Sequence, residues 1–354
     1  MRFQDIQTNG APLPEVDEME ALIDAAFWAS LRREENYPTR ISMAFLDPSK
    51  SSSAMTFENG LALTPETLTR LAPAADRPGI HLAVWRDGDL LRVWGATRKV
   101  PAFCFVLEVT APGVVVIKYR REDALAKFIN VAVLEGDMVK VLDRSVLSVP
   151  GCPNLVSALL GCAHAADRSS ANAMVELAVS MRSHQRGGTL LVVPSGSEEW
   201  RESIRHPIHY SISPRFARLA ELIDDEAHSA DSDPRWQDAY HHTIEAIASL
   251  TAVDGATVIT DRFEVLAFGV KIMRREGFDS VEQVLMSEPV EDLEEQVVPT
   301  LQTGGTRHLS AAQFAHDQRD AMALVASQDG RHTIFAWSDC DAMVRAHRVE
   351  TLLM

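Results

Sequence analysis

Two short stretches in the second half of this 354-residue chain carry side chains suited to phosphate chemistry. The first is Val253-Asp254-Gly255-Ala256, which enters the apolar run Thr257-Val258-Ile259. A carboxylate at a helix-to-strand turn can hold a divalent cation and help take the proton from a hydroxyl. The glycine after it lets backbone and ligand approach closely. The second stretch is Gly304-Gly305-Thr306-Arg307-His308, ahead of an alanine-rich segment. A glycine-rich turn that opens a helix presents free N–H groups to an anion. Arg307 adds a planar fork of charged donors, and Thr306 a hydroxyl. Each stretch alone also has a plainer reading. Asp-Gly is a common turn dipeptide, and an arginine beside a helix start is a common surface residue.

The elements that must position these residues follow from periodicity. In the second half, a helix is expected from about 170 to 185, with Ser169 or Ser170 as its cap and Gly187-Gly188 at its end. Thr189–Pro194 then reads as a buried strand. Ser213-Pro214 is expected to open a second helix, with Phe216, Leu219, Ala220 and Ile223 inward. Residues 235–250 read as a third helix. Strands at 256–260 and 264–272 form a hairpin, 310–317 a helix, and 321–326 and 332–337 further strands. The acidic segment 273–303, with Glu288, Glu291, Asp292, Glu294 and Glu295, reads as a lid or as a solvated insertion. In the first half, 14–34 reads as an amphipathic helix with Pro14 near its first turn. Residues 40–60 read as a polar, serine-rich stretch. Ile80–Trp85, Leu90–Trp94, Ala102–Val109, Val114–Tyr119, Phe128–Leu134 and Met138–Leu142 then read as six strands of an antiparallel unit. Trp85 and Trp94 read as core or as pocket walls. Residues 145–170 read as a connector with one short helix at Leu155–Cys162.

In this order and context, the two stretches resemble the paired signature of the diadenylate cyclase family, the DisA_N-type domain, which joins two ATP molecules into cyclic di-AMP. The resemblance covers roughly residues 170–340. Gly188–Val193 and Met322–Ser327 resemble the family's early strand and the strand after its second motif. The resemblance implies an α/β fold: a C-terminal mixed sheet flanked by helices, preceded by a smaller β-rich domain. It implies a sensor-like domain at 1–150, a linker at 151–169 and a cyclase-like domain at 170–354. Leu91–Ala96, Pro112-Gly113 and Lys127–Asp143 resemble the sensor-like domains of soluble cyclases; the ligand or partner of such a domain is not readable. By resemblance Asp254 is the catalytic, metal-binding aspartate. Gly255, Ala256, Ile272, Gly305, Thr306, Arg307, His308 and Ser327 are substrate-binding, with Ile272 against adenine and Thr306-Arg307-His308 at phosphate. ATP would be the substrate, Mg²⁺ or Mn²⁺ the metal, and a face-to-face homodimer the working form. Three positions depart from the family pattern. Val253 stands where histidine is usual, Leu309 where a second arginine is usual, and Gln328-Asp329 where two glutamates are usual. These leave open a non-catalytic nucleotide-binding protein on the same fold, or a synthase of another cyclic nucleotide.

Composition narrows the partners. Thirty-four Lys and Arg against 50 Asp and Glu give a net charge of −16. An acidic surface repels phosphate backbones, so no nucleic-acid partner is expected. No apolar run approaches the ~18 residues of a membrane span, and the first residues lack an apolar leader, so a cytoplasmic protein is expected. Cys104, Cys152, Cys162 and Cys340 have no metal-site spacing and read as small buried hydrophobes. His206-Pro207-Ile208-His209 and His241-His242 lack a third ligand at motif spacing. No P-loop, Rossmann fingerprint or GxSxG elbow is present.

Overall fold

The computed structural model describes residues 11–142 and 168–353, apart from 52, 77–78, 121–127, 185, 227–233 and 329. The expected helix at Leu155–Cys162 lies outside the described residues. Contacts divide the chain into two compact units, Met1–Leu142 and Asp143–Leu353.

In the first unit, helix α1 (Val16–Ser30) starts two residues after Pro14, with a reciprocal Glu15–Glu18 capping box. A two-stranded ribbon, β1 (Arg33–Glu34) and β2 (Tyr37–Pro38), follows. The main sheet has eight strands in the order β10-β9-β8-β7-β3-β5-β6-β4. These are β3 (Ile41–Phe45), β4 (Met55–Ala62), β5 (His81–Asp87), β6 (Leu90–Thr97), β7 (Phe105–Ala111), β8 (Val114–Arg120), β9 (Phe128–Glu135) and β10 (Met138–Val141). The six expected strands are present. The polar reading of 40–60 is corrected, because β3 is wholly buried at the middle of the sheet, parallel to β5 and antiparallel to β7. A strand covered on both faces shows no alternation, so its five residues give no period-2 signal. Helix α2 (Pro65–Ala75), capped by Thr64, was also not expected. Both helices contribute to one hydrophobic cluster with Met43, Leu82 and Leu107. Trp94 is core, with its indole N–H donating to the Leu46 carbonyl at 2.9 Å. Trp85 packs against Phe45.

The second unit is a nine-stranded mixed sheet ordered β12-β14-β13-β11-β17-β18-β19-β15-β16. Its strands are β11 (Gly188–Val193), β12 (Tyr210–Phe216), β13 (Ala256–Thr260), β14 (Val265–Val270), β15 (Gln283–Ser287), β16 (Gln296–Pro299), β17 (Met322–Ala326), β18 (His332–Ser338) and β19 (Met343–Arg348). Its helices are α3 (Arg168–Ser183), α4 (Arg218–Glu226), α5 (Pro234–Leu250) and α6 (Thr306–Asp317). Side chains alternate along a strand, so β11 feeds two cores. Leu190 and Val192 join Leu177, Leu219 and Ile244 of α3, α4 and α5. Leu191 and Val193 join Ala311, Phe314 and Ala315 of α6 on the other face.

Four expectations are corrected here. Ser213-Pro214 opens no helix; it lies in β12 at the sheet edge, where proline's missing N–H breaks no interior ladder, and Phe216 is exposed rather than inward. Helix α3 begins at Arg168, before the serines expected to cap it. The acidic 273–303 segment supplies the edge hairpin β15–β16, with β15 parallel to β19. Cys340 is exposed, whereas Cys104 is buried and its thiol is pushed up to about 12 by desolvation; Cys152 and Cys162 lie outside the described residues. Among the described residues no helix is long and apolar enough to cross a membrane.

Each unit has a buried Ser–His pair across a parallel strand pair. Ser42 Oγ lies 2.8 Å from His81 Nδ1, and Ser287 Oγ lies 2.7 Å from His347 Nδ1. Burial holds both imidazoles near pH 4 against an ordinary 6.5, with the Lys118 and Arg345 charges adding to it. The folded chain therefore refuses protons that the unfolded chain accepts below pH 6.5. Stability from these sites is full above that pH and is lost as pH falls toward 4. The urea midpoint is expected to be lower at pH 5 than at pH 7, and less so in His81→Gln and His347→Gln variants. Equal wild-type midpoints would contradict the neutral buried state.

Candidate functional site

Strand register gathers the two chemically suggestive stretches at one end of the second sheet. β11 pairs in parallel with β13, placing Thr189 beside Ala256, and antiparallel with β17, placing Gly188 beside Ala326. β13 pairs with β14 so that Ala256 lies beside Val270. The start of β11, the start of β13, the end of β14 and the end of β17 therefore meet at the same edge. Asp254-Gly255, Lys271, Gly187 and Ser327-Gln328 project from those four strand ends.

Helix α6 brings the second stretch to the same place. Gly305 is its N-cap, and Thr306, Arg307 and His308 form its first turn, so the helix starts four residues before the alanine-rich segment. A Cβ built on Gly187 would lie 3.1 Å from Arg307 Nη1, 3.2 Å from the Ala326 carbonyl oxygen and 3.4 Å from Gln328 Cγ. The guanidinium thus rests over the β11–β17 edge, with Gly187 left bare beneath it. Gly187 has φ +69°, a conformation that favours glycine in its own right.

Asp254 is 92% exposed, and its Oδ2 accepts from Lys271 Nζ at 2.7 Å. That hydrogen bond and the Lys271 charge hold the carboxyl below the usual aspartate range, and the Arg307 charge adds to the effect. The two stretches are thus electrostatically joined. Gly255 has φ +127°, and a Cβ there would lie 2.5 Å from the Gly269 carbonyl carbon. Its glycine is required by the hairpin itself, before any ligand is considered.

The residues expected at the site separate into two groups. Asp254, Gly255, Gly305, Thr306 and Arg307 lie on the solvent side of this edge. Ser327 is half-buried there, its N–H donating to the Arg331 carbonyl in a tight turn. Ala256 and His308 are buried. His308 stacks edge-on against Phe335 and packs under Gly304, whose added Cβ would lie 2.4 Å from the ring. It packs beneath the turn that presents Arg307. Ile272 is half-buried against the α6-side core and bridges Ile204 one residue past Lys271. Val253 is exposed, and Gln328 donates to the Arg186 carbonyl at 3.3 Å; Asp329 lies outside the described residues.

Lys271 was not expected. No motif signals it: the pairing of Ala256 with Val270, reached through two register shifts along the hairpin, sets Lys271 across from Gly255 and within reach of Asp254.

The donor set can be weighed against a divalent cation. Among the described residues no cluster of three or more His, Cys, Asp or Glu side chains could cage a metal. Mg²⁺ usually needs no such cage, taking one or two carboxylates together with waters and substrate phosphates. Asp254, ionised and exposed, fits that limited contribution. Its depressed pKa suits it to hold a cation more than to accept a proton, since a good general base titrates near the working pH.

Comparison with known proteins bears on the first unit. Residues 8–98 match the family model of the probable sensor domain DACNV. The match contains Leu91–Ala96 and stops before Pro112-Gly113 and Lys127–Asp143. No curated protein matches the chain. Among solved structures, a double mutant of DacA from Staphylococcus aureus aligns over 51% of this chain and 87% of its own, at 12% identity and a TM-score of 0.27.

Replacing Lys271 removes the principal cause of the low Asp254 pKa. In a Lys271→Met variant the Asp254 carboxyl, followed by carbon-13 NMR, is expected to titrate higher, toward the ordinary aspartate value. An unchanged midpoint would show that the lysine does not set the charge state.

Proposed function

We propose that the second unit is a diadenylate cyclase that condenses two ATP molecules into cyclic di-AMP and pyrophosphate. The observation that carries this reading is the convergence of Asp254 and Arg307 at one sheet edge, Asp254 at the start of β13 and Arg307 over Gly187 at the start of the neighbouring β11. The two residues belong to the motifs that resemble the family's signature, in the same order.

In this reading Asp254 anchors Mg²⁺ or Mn²⁺ beside the nucleotide. The cation, when bound, neutralises the triphosphate and acidifies the attacking 3′-hydroxyl. Arg307 and the N–H groups of the first α6 turn hold phosphate oxygens, which positions the α-phosphorus and stabilises charge as it develops. Lys271, half-exposed beside Asp254, would supply a further positive charge to the polyphosphate. The 3′-oxygen then bonds to the α-phosphorus of the second nucleotide, the bond from that phosphorus to the β-phosphate bridging oxygen breaks, and pyrophosphate leaves. The hydroxyl proton passes to solvent. A second such step closes the ring. The chain offers one Asp254–Arg307 pair for two hydroxyls, so a second copy facing the first supplies the other. The first unit, which includes the sensor-model match, would regulate this chemistry; its ligand is unassigned.

One observation favours a second reading, a nucleotide-binding protein without turnover. Gln328, where the family usually has glutamate, is exposed and bonded to a backbone carbonyl, so it offers no anionic metal ligand. A single experiment separates the two. Purified protein with ATP and Mn²⁺ should yield cyclic di-AMP on chromatography, and Asp254→Asn should abolish it while still binding a non-hydrolysable ATP analogue. Arg307→Ala should weaken that analogue by about 1.5–3 kcal/mol in calorimetry, the range for a lost charged hydrogen bond. Analogue binding without product in the wild type would favour the second reading. Equal turnover by Asp254→Asn would place the chemistry elsewhere.

Two facing copies also make the rate depend on assembly. Turnover per chain is expected to fall on dilution below the dimer dissociation constant, with mass followed by light scattering. Constant specific activity from a strict monomer would refute a shared site.

A further inference from the structure

At the opposite end of the same sheet lies a cavity of about 440 Å³. It opens where β11 ends and β17 begins, and where α6 terminates. Its apolar wall is Val193, Pro194, Trp200, Phe278 and Ala321. β11 carries the chain ~16 Å from the Arg307 edge to this point, and the twelve residues of α6 span ~18 Å in the same sense. The cavity is thus separate from the Asp254 edge. It also lies beyond the carboxyl ends of the parallel pair β11 and β13, where open α/β sheets commonly receive ligands.

The charges around the cavity fall into two classes. Arg275 is compensated: Nη2 meets Glu202 at 2.6 Å, Nη1 approaches Glu199 at 3.8 Å, and its backbone N–H donates to Asp317 Oδ2 at 2.8 Å. Buried Asp317 also takes Gln313 Nε2 at 2.8 Å and lies 2.9 Å from His316 Nδ1. Arg319 and Asp320 differ. Both line the cavity and both are exposed. Arg319 lies over the Trp337 ring at 4.0 Å. Neither has an ion pair among the described residues. A cation and an anion, neither in an ion pair, therefore line a chamber whose walls are part polar and part apolar, and whose volume falls in the roughly 300–1,000 Å³ range of small-molecule sites.

We propose that this cavity binds a zwitterionic amino acid with an apolar side chain. The carboxylate meets the Arg319 fork, the ammonium meets Asp320, and the side chain enters between Phe278 and Pro194. A simple anion would face Asp320 uncompensated, and a simple cation would face Arg319. A ligand with an ammonium and a carboxylate on one carbon offers a partner to each.

Calorimetric titration of the full chain with L-phenylalanine tests this, with L-phenylalaninamide and N-acetyl-L-phenylalanine as probes that each lack one charge. L-phenylalanine is expected to bind saturably, and each control about tenfold more weakly, the size of one lost charged hydrogen bond. Arg319→Ala should weaken L-phenylalanine about tenfold and leave the amide unchanged. Asp320→Asn should weaken L-phenylalanine and leave the N-acetyl compound unchanged. Both side chains are exposed, and thermal unfolding of each variant checks that the fold is intact. No saturable binding of L-phenylalanine, equal binding of the three probes, or affinity untouched by both substitutions would overturn the proposal. Preference for the N-acetyl compound would overturn it too, leaving an anion site in its place.

Discussion

The second unit depends on the position of β11. This strand is bonded to β13 on one side and β17 on the other and buried on both faces. A slip of one residue would turn Leu190 and Val192 from the α3–α5 core into the α6 core and displace the alternate set. Burial of several large aliphatic side chains, each worth roughly 1.5–3 kcal/mol, forbids that slip. The same register places the candidate site. With Gly188 fixed beside Ala326 and Thr189 beside Ala256, four strand ends must meet at one edge. Asp254, Lys271 and Gln328 are brought together by a hydrophobic constraint several residues away from them.

Helix α6 uses that constraint a second time. Its alanine and phenylalanine face is held against β11, β17 and β18, so its first turn cannot move relative to Gly187. Buried His308 completes the arrangement, because its ring fills the space that Gly304 leaves open. A histidine inside a basic-looking motif is thus buried in packing, while the arginine beside it reaches the sheet edge. Neighbouring residues in one motif take different physical roles because a helix turns by about 100° per residue.

What the sequence disclosed follows the same physics. Amphipathic α1 and α5, the turn-bounded strands β5 to β10, and the hairpin β13–β14 announced themselves through periodicity and glycine turns. β3 did not, since a strand covered on both faces has no alternation to read. β12 was mistaken for a helix start because Ser-Pro is a good helix opener, and only its place at the sheet edge makes proline acceptable in a strand. β15 and β16 were masked by the acidic loop between them. At the site, Asp254 and Arg307 were legible from residue type and context. Lys271 was not, because its significance comes from pairing register. The burial of His308 and Ala256 was likewise invisible to a reading of motifs.

The exposure of Asp254 carries a final consequence. At 92% exposure its ion pair with Lys271 stands in water, where salt screens it and its worth is small. Preorganised charges accelerate a reaction chiefly when water is excluded from around them. If the proposed chemistry occurs there, an open sheet edge bearing one carboxylate, one lysine and one arginine is an incomplete environment for it. Something must cover it before those charges act at full strength. A second copy presenting the same edge would do so and would bring an identical carboxylate and arginine to the other nucleotide. In the proposed cyclase reading, the openness of the edge and the need for two activated hydroxyls would be met by the same act of association.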